Sequence, residues 1–141
     1  MTSGWLRSTL RLSILLLPLG AWGAATQGSI ILSEVMYDPQ NSDSNREWIE
    51  IFNNGASAVD LSGWQFGRPN ANQWTSAFPL NTTLGANQAM VITPSISTFD
   101  SDWGTGKKRI QVSSFPSLLN DPASASDGRI AIRNGAGAIQ D

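Results

Sequence analysis

Three groups of residues in this chain have the types and spacing that chemistry requires: a trio of glutamates, a run of oxygen-bearing side chains, and a scatter of tryptophans. Glu34, Glu47 and Glu50 fall on two short apolar stretches that read as central strands. Paired carboxylates can divide acid and base roles, as they do in glycoside hydrolysis. No cofactor motif, nucleophile or Gly-rich phosphate loop accompanies them, so catalysis by these residues is not expected. Glu50, between Trp48 and Phe52, reads better as a structural acceptor for loop backbone or for an arginine, with Arg46, Arg129 and Arg133 available. Histidine and cysteine are both absent. Their absence removes Ser-His-Asp and Cys-His nucleophiles and zinc sites of the usual nitrogen and sulfur type.

The second group is Asp38, Asn41, Asp43, Asn45 and Glu47. Oxygen side chains at alternate loop positions are the ligand type Ca²⁺ prefers, which makes these residues a candidate calcium site. An EF-hand is excluded, because Arg46 stands where that loop needs glycine and Phe52 where it needs a bidentate acid. The plainer reading is a connection between strands rich in Asx-turns. Asp100 and Asp102 form a lesser version of the same pattern. No other cofactor is implied.

Tryptophans form the third group. Trp48 and Trp64 lie among apolar neighbours and are expected in the core, as structural residues. Trp74, in the polar run NANQW, is the expected surface aromatic and the candidate binding residue, able to stack on a sugar ring. Single exposed apolar residues are ordinary, so the bland alternative stands beside it.

The elements that must position these residues are strands. Gly, Pro, Asn, Ser and Thr interrupt the chain every few residues, and no long stretch carries helical spacing. Residues 29–37 and 47–52 read as strands, and residues 88–93 (QAMVIT) as the cleanest buried one, stopped by Pro94. In residues 47–52, Glu47, Ile49 and Ile51 share one face while Trp48, Glu50 and Phe52 share the other. Asn53-Asn54-Gly55 is a strong hairpin signal. Residues 129–133 alternate, with Ile130 and Ile132 inward and Ala131 outward. Asn134-Gly135 then turns the chain into a partner strand at 138–141. Residues 95–127 carry several turn signals, and only 110–112 looks extended. The fold class is all-β.

At the N-terminus, Arg7 and Arg11 form a short positive region before an apolar run, residues 12–20 (LSILLLPLG), followed by small residues before positions 24 and 26. These features define a secretory signal peptide over residues 1–25. The apolar run is shorter than the about 20 residues a spanning helix needs, and nothing later in the chain is a transmembrane candidate. Residues 26–141 form one domain, expected to be secreted, periplasmic or at the cell surface. Once Arg7 and Arg11 are gone, seven basic residues face eleven acidic ones, a formal net charge of about −4. That balance opposes nucleic-acid binding. Lys107-Lys108-Arg109 is the one basic run, read as a hairpin tip or a strand edge where lysines discourage pairing.

The ordered stretches 31–39 (ILSEVMYDP), 47–53 (EWIEIFN) and 59–64 (VDLSGW) carry a resemblance, continued by Phe78-Pro79, Thr83-Leu84 leading into Met90-Val91-Ile92, and 127–134 (DGRIAIRN). Together they resemble the lamin-tail domain as it occurs in bacterial secreted and surface proteins, over almost all of residues 29–141. The resemblance implies an immunoglobulin-like β-sandwich acting as a non-catalytic accessory module with a protein or cell-surface partner. It also implies a further strand after Asp141, so the chain is expected to be C-terminally truncated. Two alternatives stay open. The domain can be the N-terminal accessory part of a longer secreted hydrolase, a nuclease or phosphoesterase, or it can itself bind carbohydrate or Ca²⁺.

Overall fold

The computed structural model describes residues 30–40, 42–120 and 128–141. The expected signal peptide, the candidate ligand Asn41, and the ends of two expected stretches, Ser29 and Asp127, lie outside these residues.

Among the described residues, nine strands and one α-helix follow one another, with a single 3-10 turn at Pro69–Ala71. They are β1 (Ile30–Met36), β2 (Trp48–Asn53), β3 (Val59–Asp60), β4 (Gln65–Arg68), β5 (Gln73–Trp74), β6 (Thr83–Leu84), β7 (Ala89–Thr93), α1 (Ile96–Trp103), β8 (Arg109–Gln111) and β9 (Ala131–Arg133). One sheet has the order β1-β2-β7-β8, antiparallel except for the parallel pair β7/β8. The facing layer is built from the sheet β5-β4-β9 and the short pair β3/β6. Side chains that alternate along a strand bury one face against the opposite layer. Ile30, Ile49, Ile51, Met90 and Ile92 therefore meet Leu61, Trp64, Phe66, Phe78, Leu84 and Ile132 in a single core. The result is an immunoglobulin-like β-sandwich.

The alternation expected in β2 holds. Ile49 and Ile51 enter the core, while Trp48 points to the other face, where it packs with Val91 and Phe99. What covers that outer face is α1, an element the sequence reading of 95–127 missed. Its period is legible only over eight residues, with Ile96, Phe99 and Trp103 apolar. Ser95 caps its start by accepting from the Thr98 amide at 3.2 Å, and the Gly104 amide closes its end onto the Asp100 carbonyl at 2.9 Å. Isolated helices this short are marginal in water, so burial of Phe99 against Trp48 supplies the stability that local propensity lacks. The helix also supplies the crossover that a parallel neighbour requires, carrying the chain from β7 to β8.

Two other expectations are corrected. Asn53-Asn54-Gly55 does not make a hairpin between β2 and the next strand. Both sides of β2 are already taken by β1 and β7, so β3 has no free edge there and pairs with β6 in the other layer. Ala131 is buried rather than outward. Its register partner is Gly67, and Trp74 lies so close over Gly67 that a Cβ there would sit 2.5 Å from the indole. Residues 138–141 do turn back on β9: the Gln140 amide donates to the Ile132 carbonyl and the Ile132 amide to the Asp141 carbonyl, both at 2.9 Å. The Asp141 carboxylate also accepts from the Leu32 amide at 2.7 Å, joining this hairpin to β1 beside its bulge.

Candidate functional site

The loop between β1 and β2, the start of β2 and the segment around Leu118 meet at one end of the sandwich. Glu47 sits immediately before β2, only 5% exposed, and its Oε1 accepts from the buried Leu118 amide at 2.8 Å. Burial pushes its pKa up to about 7, reinforced by the negative charge of Asp43 and opposed by the Leu118 bond and the Arg68 guanidinium. A raised carboxyl pKa beside a cleft can mark a general base. Here the same oxygen holds residue 118 against the sandwich, which is a structural duty.

That duty has a pH signature. The carboxyl of the unfolded chain titrates near 4.5 and the folded one near 7, so between these values the unfolded state releases a proton that the folded state keeps. Glu47 therefore favours the fold below about pH 4.5, loses that advantage as pH rises to about 7, and changes nothing further above it. Glu47→Gln keeps an acceptor for Leu118 without the charge. Its stability relative to the parent is expected to rise by roughly 3 kcal/mol between the two ends of that window. Urea unfolding of both proteins across the window checks this, and parallel curves would refute it.

The remaining members of the oxygen-rich group part company. Asp38 and Asp43 both accept from Asn120 Nδ2, at 3.4 and 3.0 Å. Asn45 takes a left-handed backbone, φ 60°, inside a turn closed by the Arg46 amide on the Asp43 carbonyl at 3.0 Å. Glu47 is turned to the Leu118 backbone instead of toward Asp38 and Asp43. Among the described residues, no group of three or more acidic side chains is placed to hold a metal ion.

Among the described residues, the Glu50 carboxylate is bonded to neither an arginine nor loop backbone. Its Oε2 lies 3.0 Å from Lys107 Nζ and its Oε1 accepts from Ser33 Oγ at 3.0 Å. Two of the three arginines named as partners are engaged elsewhere: Arg46 pairs with Asp102 at 3.0 Å, and Arg133 donates to Gln65 Oε1 at 2.7 Å. Lysine reaches Glu50 because the loop before β8 crosses the large sheet's outer face, where Lys107 also stands 5.7 Å from the Trp48 ring. The Glu50 carboxylate raises the Lys107 pKa. Of the basic run only Arg109 lies on edge strand β8, paired to Asp100, while Lys107 lies over the sheet's outer face.

The tryptophans divide as well. Trp48 and Trp64 are buried. Trp74, on the edge strand β5, is half-buried and covered on one face by the Arg133 guanidinium, 3.8 Å from its ring centroid. Among the described residues the tryptophan that stands open is Trp103, 51% exposed at the end of α1, its ring edge-on to Trp48 at 5.5 Å. It borders a cleft of about 560 Å³ between α1 and the β1–β2 loop. Sequence reasoning passed over Trp103 because it had no helix on which to place it. The signal was the spacing of Ile96, Phe99 and Trp103 between Ser95 and Gly104.

The sandwich that presents these groups matches a family model described as Lamin Tail Domain over residues 23–141. The chain belongs to the lamin-tail-domain family. A comparison with curated proteins found no match. In this lamin-tail domain the conspicuous carboxylates, Glu47 and Glu50, are bonded to groups that hold its loops in place. Among the described residues no helix is long and apolar enough to cross a membrane.

Proposed function

We propose that this lamin-tail domain is an exported, non-catalytic module that contacts a partner at the cell surface or outside the cell. The observation that carries the reading is how its acidic groups are engaged. Glu47 anchors Leu118, Glu50 anchors the Lys107 loop, and Asp100 anchors Arg109, so each serves the fold. The charged run before residue 12 and the small residues before positions 24 and 26 support export.

Three measurements, on the source cells and on the purified exported protein, test this. Fractionation of the source cells should recover the chain outside the cytoplasm, with its N-terminus at residue 24 or 26. The labelled exported protein should bind intact source cells saturably, and should leave glycoside and phosphodiester substrates unchanged. Retention in the cytoplasm, absence of saturable binding, or turnover of either substrate class overturns the proposal.

A further inference from the structure

The cleft beside Trp103 is a mixed site. Met36, Pro39 and Trp103 give it apolar surface, while Asp38, Gln40, Arg46 and Asp102 give it hydrogen-bonding groups. Its volume of about 560 Å³ lies within the range of about 300–1,000 Å³ typical of small-ligand sites.

Charge narrows the ligand. Arg46 Nε faces Asp102 Oδ2 at 3.0 Å, with both side chains about one-third exposed. These two charges neutralise each other, and the exposed Asp38 carboxylate, which also lines the cleft, leaves the wall with more negative than positive charge. A strongly anionic ligand would meet that surplus and would have to compete with Asp102 for Arg46. A neutral ligand meets neither cost. It can still use both groups, because a guanidinium carries five N–H donors and a carboxylate about four acceptor positions, far more than one contact consumes.

Shape narrows it further. The Trp103 ring is braced edge-on by Trp48, which is in turn braced by Phe99, with centroids 5.5 and 5.6 Å apart. The open indole is therefore a fixed platform, and holding it for a ligand costs little side-chain entropy. A flat aromatic face next to fork-shaped donors and acceptors suits a molecule with one apolar face and a rim of hydroxyls. That description fits a sugar ring, whose axial C–H groups make an apolar face and whose vicinal hydroxyls around the rim can bridge Gln40, Arg46 and Asp102.

We infer that this cleft binds a neutral glycan, with Trp103 as the stacking platform and Arg46, Asp102 and Gln40 as the polar rim. The inference deepens the reading of the domain as a surface-contact module and rests on it, by naming where the contact is made and with what chemistry. It also moves the sugar-stacking role from Trp74, whose ring Arg133 covers, to Trp103.

Native affinity electrophoresis tests the inference directly. The purified exported protein is run in gels containing xylan, mixed-linkage β-glucan, galactomannan or dextran, with a heparin gel for comparison. Retardation is expected in at least one neutral gel and not in heparin alone, with a matching change in tryptophan emission on titration with that polysaccharide. Trp103→Ala should weaken binding at least tenfold, while Trp74→Ala should leave it unchanged. Should Trp103→Ala lose its fold by near-ultraviolet circular dichroism, Ser101→Trp serves in its place, since it fills the cleft from the exposed side of α1.

Absence of retardation in all four neutral gels overturns the inference. So does retardation confined to heparin, or glycan binding that survives Ser101→Trp. Binding of the Trp103→Ala protein to intact cells separates the two readings. If cell binding persists undiminished, the cleft assignment falls and the contact-module reading stands. If the parent binds glycan but not cells, the contact at the cell surface falls while the cleft stands.

Discussion

Asn53→Asp is expected to destabilise the domain by about 4 kcal/mol at neutral pH, through the loss of buried hydrogen bonds and the gain of an unpaired buried charge. Asn53 is fully buried at the end of β2. Its Nδ2 donates to the carbonyls of Ser57, Leu84 and Gly85 at 2.8, 3.0 and 3.1 Å, and its Oδ1 accepts from the Gly55 amide at 3.0 Å. One amide side chain thus ties the large sheet to the β3/β6 layer. An aspartate at this place would aim an acceptor at three carbonyl oxygens. In the folded state its carboxyl would resist ionisation, so its folded pKa would lie above the unfolded one. The cost must then grow as pH rises from the ordinary aspartate range toward the raised folded value. Guanidinium unfolding at pH 4 and pH 7 checks both statements. A loss below about 1 kcal/mol, the size of one ordinary hydrogen bond, would show that the Asn53 amide does not join the layers.

The second large effect is expected from the centre of the core. Phe66 on β4 is completely buried, and its ring lies 5.3 Å from that of Phe115. Phe66→Ala should cost about 4 kcal/mol, combining lost transfer energy with the cavity left between two sheets that cannot close on it. Phe115 packs against the same core from a partly exposed position, so Phe115→Ala should cost roughly half as much. The double variant should cost less than the sum of the two, because the ring contact between them is lost only once. Thermal or denaturant unfolding of the three variants measures these values. Equal losses for Phe66→Ala and Phe115→Ala would contradict the burial difference between the two rings.

These two residues also mark how much of the molecule was legible before its folding was known. Phe66 was not placed on a strand beforehand, because β4 is a four-residue strand that follows a Ser-Gly turn and shows no alternation of its own. In the longer β2 the two-residue side-chain period, a local property of the backbone, did place Ile49 and Ile51 opposite Trp48 and Glu50. Asn53 was legible only as a turn former, since Asn followed by Asn-Gly predicts a local hairpin. Its true partners lie some thirty residues away, at Leu84 and Gly85. No local pattern carries that information.

The candidate site shows the same division. Its residue types were visible, and Glu47, Glu50, Asp38 and Asp43 were each singled out. Which of them would meet was not, because their partners Leu118, Lys107 and Asn120 arrive from distant segments. Glu50 was expected to find an arginine and found a lysine, for the single reason that the loop before β8 crosses above it.

By itself the sequence determined the all-β class, the faces of the principal strands and the resemblance to the lamin-tail domain that the family match bears out. Local backbone geometry and the exclusion of apolar side chains from water are enough to write those into a string of residues. Tertiary structure alone decided the strand order, the crossover through α1, and the setting of Trp103 beside Arg46 and Asp102. Those depend on contacts between segments far apart in the chain, where several pairings satisfy the same local periods. Only the packing of the whole core selects among them.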